Sequence, residues 1–217
     1  ADRESALRHA RATGRALPEL RREDFPLALL PPRIETWLDD LESGRGFLLL
    51  RGLPVERWGE DDAALAYFGI GLHLGTAISQ NVDGDVLGHV RDAGVAKRDP
   101  TVRRYRTREP LGFHSDGADL IGLLCLRNAR SGGASRIVSS LAVMRELEQR
   151  RPDLVPALFA PLPFDRNGEE RPGEPPFFLL PPCRVQEGRL RTFYIGWYIR
   201  DSQRHPAAPR LTAAQHE

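Results

Sequence analysis

The stretch LGFHSDG, residues 111–117, carries the most informative residues of this chain. Within it, His114 and Asp116 are separated by a single residue. Side chains alternate between the two faces of an extended segment, so residues at positions i and i+2 point the same way. An imidazole and a carboxylate on one face of a strand end can both reach a single metal ion. The spacing therefore makes His114 and Asp116 candidate metal ligands.

This pair matches two of the three ligands in the 2-His-1-carboxylate facial triad, which binds non-haem Fe(II) and leaves positions open for substrates. On its own a His-x-Asp pair is a weak signal, because a chain with 6 histidines often contains one by chance. Its setting favours a metal role, since the pair follows a polar loop, precedes Gly117 and stands beside an apolar run. A pair without any metal role remains the alternative at this point.

The composition is that of a globular protein with room for one sizeable core. The chain has 217 residues, of which 41% are hydrophobic and 28% are charged. With 31 basic and 30 acidic residues the net charge is +1, which provides no bulk attraction to nucleic acid or to an anionic membrane. No apolar run approaches a membrane span. We therefore expect neither nucleic acid nor a membrane as partner.

Cysteine usage predicts a reducing compartment. Cys125 and Cys183 are the only cysteines, they are too few for a disulfide framework, and they show no CxxC spacing. The sequence therefore predicts a cytoplasmic protein.

The pattern of apolar residues predicts helices first and then many short strands. We expect helices at 33–42, 61–72 and 141–150, with a short one from Pro152. Strands are expected at 46–52, 111–115, 120–126 and 135–139, with hairpins over 77–91 and 177–199 that turn at Asp83-Gly84 and Glu187-Gly188. The polar segment 92–110 is predicted to be a loop, and loops of this length beside a site often act as lids.

This order favours a mainly β fold with flanking helices. A jelly roll, also called a double-stranded β-helix, accommodates such strand lengths best. We divide the chain into an N-terminal helical segment, residues 1–44, and a jelly-roll domain, residues 45–217.

Several motifs together are similar to a known family. They are the run from His114 through Gly132-Gly133 to Ser140, LRGLP at 50–54, FDR at 164–166, and 189–200 with Gln203-Arg204. With these residues the chain resembles the TauD/TfdA family of Fe(II)- and 2-oxoglutarate-dependent dioxygenases over about 45–217. The Gly-Gly turn shortly after His-x-Asp is the most specific of these features.

The resemblance implies a cofactor, a cosubstrate and a reaction. Fe(II) would be bound by His114 and Asp116, and 2-oxoglutarate would chelate the metal. Ser135 matches the hydroxyl residue that contacts the cosubstrate carboxylate in the family, although an ordinary strand serine is an equal alternative. The implied enzyme uses O2 to oxidise, most simply to hydroxylate, a small organic substrate, for which an anion is one candidate, and forms succinate and CO2.

The family also requires a second histidine followed closely by an arginine, and neither has a match in this chain. His205 falls too early in the pattern and is expected to cap a strand end, while His216 lies in a presumed helix start. Thr212 and Gln215 have the spacing of a capping box, which predicts the N-terminus of a helix. Only about one helical turn of sequence follows, which is too short to be a stable helix by itself. We therefore expect a jelly roll that is incomplete at the C-terminus.

The substrate pocket is the least defined part of the sequence. Gln80 and Asn81 could line a polar pocket, or they could form a turn with Asp83-Gly84. The arginine cluster at 103–106 could close over an anionic ligand or simply solvate the loop. A homo-oligomer is also left open. The alternative to an enzyme is a non-catalytic, truncated jelly-roll module that retains a partial metal site.

A site with two N and O ligands has low affinity for Fe(II). We therefore expect the isolated 217-residue chain to turn over no 2-oxoglutarate in an assay of succinate release. Fe(II)-dependent succinate formation by this polypeptide would contradict the expectation and require another ligand within it.

Overall fold

A computed structural model describes residues 2–81, 83–91, 94, 104, 107 and 110–217 of the chain. Contacts divide it into two compact units. Unit 1 comprises the described residues of Ala1–Gly88 and Ala118–Ser135, and unit 2 comprises those of His89–Gly117 and Arg136–Glu217. The expected division at residue 44 coincides with neither boundary and stays a prediction. The expected loop and lid at 92–110 lie outside the described residues, apart from positions 94, 104, 107 and 110.

Unit 1 is built from three α-helices and two 3₁₀ turns in its described part. The helices are α1 (Asp2–Ala12), α2 (Pro31–Glu42) and α3 (Glu60–Gly71), and the turns are Leu17–Glu19 and Arg22–Asp24. Proline occupies the first turn of α2, where its missing N–H costs nothing. The helices predicted at 33–42 and 61–72 are therefore confirmed to within two residues.

Phe25 is the centre of the unit 1 core. Its side chain is fully buried, and its carbonyl oxygen accepts a hydrogen bond of 2.7 Å from Nε2 of His73. Nδ1 of the same imidazole accepts a hydrogen bond of 3.1 Å from Nε of Arg22. His73 is thus a structural residue at the end of α3. The other buried apolar residues of this core are Ala6, Leu7, Ala10, Leu20, Leu27, Ile34, Ala66 and Phe68.

Unit 2 combines short helices with two small antiparallel sheets in its described part. Its helices are α4 (Ser140–Arg150), α5 (Val155–Phe159), α6 (Gly196–Ser202) and α7 (Ala213–His216), with a 3₁₀ turn at Pro152–Leu154. Strand β1 (Leu162–Asp165) pairs with β2 (Phe177–Leu180), and β3 (Cys183–Gln186) pairs with β4 (Arg189–Thr192). The expected helices at 141–150 and from Pro152 are confirmed, as is the capping box of Thr212 and Gln215.

Aromatic stacking holds β1, β2 and α6 together in the core of unit 2. The ring of Phe164 lies 5.4 Å from that of Phe178 across the β1–β2 pair and 5.2 Å from that of Phe193. Ile199 of α6 is buried in the same cluster. Aromatic pairs at such distances stabilise a core beyond their buried area. This cluster supports the segment that follows β4.

The mainly β part of the predicted fold is not confirmed. In the described residues only β1–β4 form regular strands, and the expected strands at 46–52, 77–81, 86–91, 111–115, 120–126 and 135–139 lack regular pairing. Apolar side chains in these runs stay exposed, for example Leu123 at 77% and Ile137 at 71%. An apolar run predicts burial but does not supply the hydrogen-bonded neighbour that a strand needs.

The second predicted hairpin is confirmed at its turn and in the adjoining residues 183–185 and 190–192, which pair as β3 and β4, but not beyond them. Glu187-Gly188 joins β3 to β4 as expected, and Glu187 adopts a φ of 53° that the turn requires. The run 177–180, however, pairs with β1, and the predicted strand over 190–199 ends at Thr192. The aromatic residues in 193–198 favour a strand by their β propensity. A helical turn forms instead, because it buries Ile195 and Ile199, which are four residues apart, on one side.

The helices of both units are short. The longest, α2 and α3, have 12 residues each. Across the part of the chain that the structure describes, no helix combines the length and the apolar character that crossing a membrane requires.

Two glycines of α3 offer a matched test of the unit 1 core. A Cβ at Gly69 would overlap ring carbons of the fully buried Phe25, whereas a Cβ at Gly71 would meet no atom within 4 Å. We expect Gly69→Ala to lower the free energy of unfolding by about 1–3 kcal/mol, as overpacking does. Gly71→Ala should leave it unchanged or raise it by up to about 1 kcal/mol through helix propensity. Urea unfolding followed by circular dichroism measures both, and equal stability of the two variants would contradict this packing.

Candidate metal site and ligand pocket

The two residues predicted as metal ligands lie side by side in unit 2. Nε2 of His114 is 3.9 Å from Oδ1 of Asp116, and the two side chains are 25% and 50% exposed. With metal–donor bonds of about 2.1 Å, as in zinc sites, one ion can bridge two donor atoms at this separation. The geometry therefore fits a shared cation, with room on the exposed side for further ligands.

The imidazole of His114 is oriented from two sides. Its Nδ1 lies 2.8 Å from the carbonyl oxygen of Gly112. Because a carbonyl oxygen only accepts, Nδ1 is the donor in this contact, and Nε2 is the ring nitrogen on the side of the Asp116 carboxylate. The indole of Trp197 packs against the imidazole with ring centroids 5.0 Å apart and an interplanar angle of 65°. A backbone acceptor on the second ring nitrogen is the usual way to orient a histidine ligand.

Ser115 fastens the His-x-Asp segment to the residues that follow β4. Its N–H donates to the carbonyl oxygen of Tyr194 at 2.9 Å, and its hydroxyl oxygen accepts from the N–H of Tyr194 at 2.7 Å. The same hydroxyl donates to the carbonyl oxygen of Thr192 at 3.2 Å. We call these three hydrogen bonds the Ser115 clamp. The clamp holds the segment in place without a regular strand.

A cavity of about 450 Å³ adjoins this segment in unit 2. Gly112 and Phe113, which precede His114, form part of its wall, and so does Trp197, which packs against the imidazole. Small-molecule pockets have volumes of about 300–1,000 Å³. The cavity is thus large enough for a small ligand. Its remaining lining residues are Arg104, Pro110, Tyr194, Gly196 and Arg200.

A buried carboxylate network accounts for His205. The fully buried Asp165, the last residue of β1, accepts hydrogen bonds from Nε and Nη2 of Arg204 at 2.9 and 3.1 Å. Nε2 of His205 donates to the same carboxylate at 2.9 Å, and the N–H of Asn167 donates at 2.6 Å. These bonds compensate the cost of burying the charge. His205 therefore stabilises the buried carboxylate at the end of β1, and its Nε2 is not available to bind a metal ion.

The described residues do not provide a complete set of ligands. In the ranges that the structure covers, no cluster of three or more His, Cys, Asp or Glu side chains could hold a metal ion. His216, the other late histidine, is exposed in α7. His114 and Asp116 thus fit Fe(II) as a two-ligand part of a site, and the third position of the triad is not assigned.

The other predicted site residues belong to unit 1. Ser135 is exposed. Oδ1 of Asn81 accepts hydrogen bonds from the N–H groups of Asp83 and Asp85 at 3.1 Å each, and Nε2 of Gln80 donates to the carbonyl oxygen of Ile78 at 3.0 Å. These bonds form the turn that was the alternative explanation for Gln80 and Asn81. The ligand roles of Ser135, Gln80 and Asn81 stay predictions.

The residues that surround His114 are not predicted by the sequence patterns. Ser115 lies inside the decisive motif, but the pattern predicts no role for it. The run that contains Tyr194, Trp197 and Arg200 has the composition of a strand. The available signal was the spacing of that run, since Tyr194, Trp197 and Arg200 recur every three residues and share one face of a helical turn.

Paired N and O donors beside an aromatic pocket define a candidate metal-dependent enzyme site, and comparison with known proteins identifies the family. The model of the family described as "Taurine catabolism dioxygenase TauD, TfdA family" matches residues 13–215. The chain therefore belongs to the TauD/TfdA family of dioxygenases, and the resemblance noted in the sequence is confirmed. Members of this family typically depend on Fe(II) and 2-oxoglutarate and have a jelly-roll fold.

Two curated relatives agree with this assignment. FR-33289 synthase of Streptomyces rubellomurinus (strain ATCC 31215) is 37% identical over 178 residues, which are 82% of this chain and 52% of that protein. Taurine hydroxylase-like protein SAT17 of Stachybotrys chartarum (strain CBS 109288 / IBT 7711) is 28% identical over 216 residues, which are 96% of this chain and 54% of that protein. The chain spans about half the length of these relatives.

The Ser115 clamp can be tested without any ligand. Ser115→Ala removes the hydroxyl that bonds to Thr192 and Tyr194, so we expect the free energy of unfolding to fall by about 1–3 kcal/mol. Ser115→Thr retains a hydroxyl and should recover part of the loss. Ser140→Ala, at an exposed first position of α4, is the matched control and should have no effect.

Hydrogen exchange localises this effect. The amide of Tyr194 should exchange faster in Ser115→Ala than in the unmodified chain, because its acceptor is gone. Unchanged exchange at Tyr194 together with unchanged stability would contradict the clamp.

Proposed function

We propose that this protein is an Fe(II)- and 2-oxoglutarate-dependent dioxygenase that hydroxylates a small organic substrate, with succinate and CO2 as coproducts. The observation that carries the proposal is the 3.9 Å approach of His114 Nε2 and Asp116 Oδ1 in a chain of the TauD/TfdA family. Family membership supports the class of reaction, and the paired donors support the position of the metal.

Each residue near the pair has a proposed role. Nε2 of His114 and the carboxylate of Asp116 would bind the metal, which in this class supplies the redox chemistry that couples O2 reduction to oxidation of 2-oxoglutarate and substrate. Trp197 excludes water from one face of the imidazole, and the Ser115 clamp keeps both donors in register. Ser135 is proposed to contact the cosubstrate carboxylate through its hydroxyl.

The proposed partners are the small-molecule substrate and O2. The net charge of +1 supports the proposal that neither nucleic acid nor a membrane is bound. The two free cysteines, Cys125 and Cys183, support a cytoplasmic location. A homo-oligomer remains a proposal without a specific contact to support it.

One observation favours a second candidate function. The described residues contain no cluster of three metal-binding side chains, so a non-catalytic module with a partial metal site is the alternative. The two candidates differ in what the full-length protein should do. An enzyme needs the pair for turnover, whereas a non-catalytic module does not form succinate at all.

An anaerobic Fe(II) titration tests the metal pair. We expect one Fe(II) per chain, bound weakly, and a loss of affinity of at least about tenfold in His114→Ala and in Asp116→Ala. Asp119→Ala, an exposed carboxylate near the motif, is the matched control and should bind as the unmodified chain does. Equal Fe(II) affinity of all four proteins would remove His114 and Asp116 from the metal site.

Turnover of the full-length protein then separates the two candidates. We expect succinate formation from 2-oxoglutarate that requires Fe(II) and disappears in His114→Ala. If the full-length protein binds Fe(II) but forms no succinate with any substrate tested, the non-catalytic module is the better description.

A further inference from the structure

Helix α6 is tied to strand β1 by a buried ion pair just beyond its C-terminal end. The fully buried carboxylate of Asp165, at the end of β1, accepts from Nε and Nη2 of Arg204 at 2.9 and 3.1 Å. Two parallel hydrogen bonds between a guanidinium and a carboxylate fix the direction of the contact as well as its length. The backbone N–H of Arg204 also donates to the carbonyl oxygen of Asp201, in the last turn of α6, at 3.2 Å. The ion pair therefore holds the end of the helix in one place.

The Asp165 carboxylate is itself fixed from other sides. The N–H of Asn167 donates to its Oδ1 at 2.6 Å, and Nε2 of His205 lies 2.9 Å from its Oδ2. The imidazole of His205 stacks on the ring of Phe177 in β2, with centroids 6.3 Å apart. Because these contacts hold the carboxylate independently of Arg204, it is a fixed point to which the guanidinium binds.

The other end of α6 makes the contact with the candidate metal ligand. Trp197 is the second residue of the helix, and its indole packs against the imidazole of His114 with ring centroids 5.0 Å apart. A helix of 7 residues is about 10 Å long and behaves as one rigid element. A displacement at the Arg204 end therefore moves the indole at the opposite end.

Apolar packing leaves this short helix some freedom to slide and turn. Ile199 and Tyr198 pack into the aromatic cluster around Phe164, and the hydrophobic effect that drives this packing has no preferred direction. A directed ion pair removes that freedom. A buried ion pair often adds little to the stability of a fold, and in some proteins its contribution is to select one arrangement. Position is thus the property that this pair is suited to control.

We propose that Asp165 and Arg204 are positioning residues for the metal pair. Acting through α6, they hold the indole of Trp197 against the imidazole of His114. The imidazole in turn keeps Nε2 on the side of Asp116. The positioning of the imidazole is independent of any metal, whereas its consequence for Fe(II) binding rests on the proposed function.

The test follows the ring proton signals of His114 by NMR in the metal-free chain. His114→Ala assigns these signals among those of the 6 histidines. Trp197→Leu gives their chemical shift without the indole, whose ring current acts on the neighbouring imidazole. Arg204→Lys keeps the charge but loses the planar fork, so we expect the His114 signals to move at least about halfway to the Trp197→Leu value. Asp165→Asn, which loses the charge, should move them in the same direction.

Arg151→Lys is the matched control. Nε and Nη2 of Arg151 also donate two hydrogen bonds to one carboxylate of unit 2, that of Asp153, at 3.0 and 2.8 Å. This variant should leave the His114 signals in place. The backbone amide signals of β3 and β4 report whether unit 2 is folded in each variant. Unchanged His114 signals in folded Arg204→Lys or folded Asp165→Asn would overturn the proposal. Unfolding of both variants would do the same, because the ion pair would then be required for folding instead of position.

An Fe(II) titration separates this proposal from the proposed function. Arg204→Lys should lower the Fe(II) affinity by about three- to tenfold, which is less than the effect of losing a group bonded directly to a ligand, and Arg151→Lys should not change it. If the His114 signals move as expected but the unmodified chain binds no Fe(II), the proposed function fails and the positioning stands. If the unmodified chain binds Fe(II) and the His114 signals stay in place in Arg204→Lys, the positioning fails alone. Equal Fe(II) affinity of Arg204→Lys and Arg151→Lys would show that the ion pair does not serve the metal site.

Discussion

The hydrogen bonds between Ser115 and residues 192–194 are the constraint on which the candidate site depends. Each such bond contributes about 1 kcal/mol net. Together they hold the His-x-Asp segment in place, although this segment does not pair as a regular strand. The side chains that flank Ser115, those of His114 and Asp116, approach each other with Nε2 and Oδ1 3.9 Å apart. Anchoring the serine therefore holds both donors in place, and the Gly112 carbonyl oxygen orients the imidazole so that Nε2 lies on the side of the carboxylate.

The same anchor organises the ligand pocket. Tyr194 joins the clamp through its backbone and is also one of the residues that line the cavity. Helix α6 follows at once and brings Trp197 against His114 and Arg200 into the pocket wall. Behind α6, Ile199 packs into the aromatic core of β1 and β2. A single short stretch thus connects the hydrophobic core of unit 2, the candidate metal ligands and the adjoining cavity.

The sequence was sufficient where local chemistry decides the outcome. The start of helix α4 could be predicted because a serine, Ser139, stands at its N-cap. The position of the turn at Glu187-Gly188 could be predicted because glycine tolerates a positive φ. The spacing of His114 and Asp116 predicted their common side. The sequence was insufficient to predict structure that depends on residues far apart in the chain. The apolar run at 120–126 indicated burial, but it could not indicate whether a neighbouring strand is present to pair with it. Residues 196–199 form a helix because burial in the tertiary structure prevails over their β propensity.

The most direct measurement of the central claim is a ¹⁵N NMR spectrum of the His114 side chain with and without Zn²⁺ as a diamagnetic substitute for Fe(II). We expect a selective shift of the Nε2 signal when Zn²⁺ is added, because Nδ1 is engaged by the carbonyl oxygen of Gly112. The shift should disappear when Asp116 is replaced by alanine. No selective shift of the Nε2 signal, or a Zn²⁺-induced shift that does not depend on Asp116, would contradict the shared metal site.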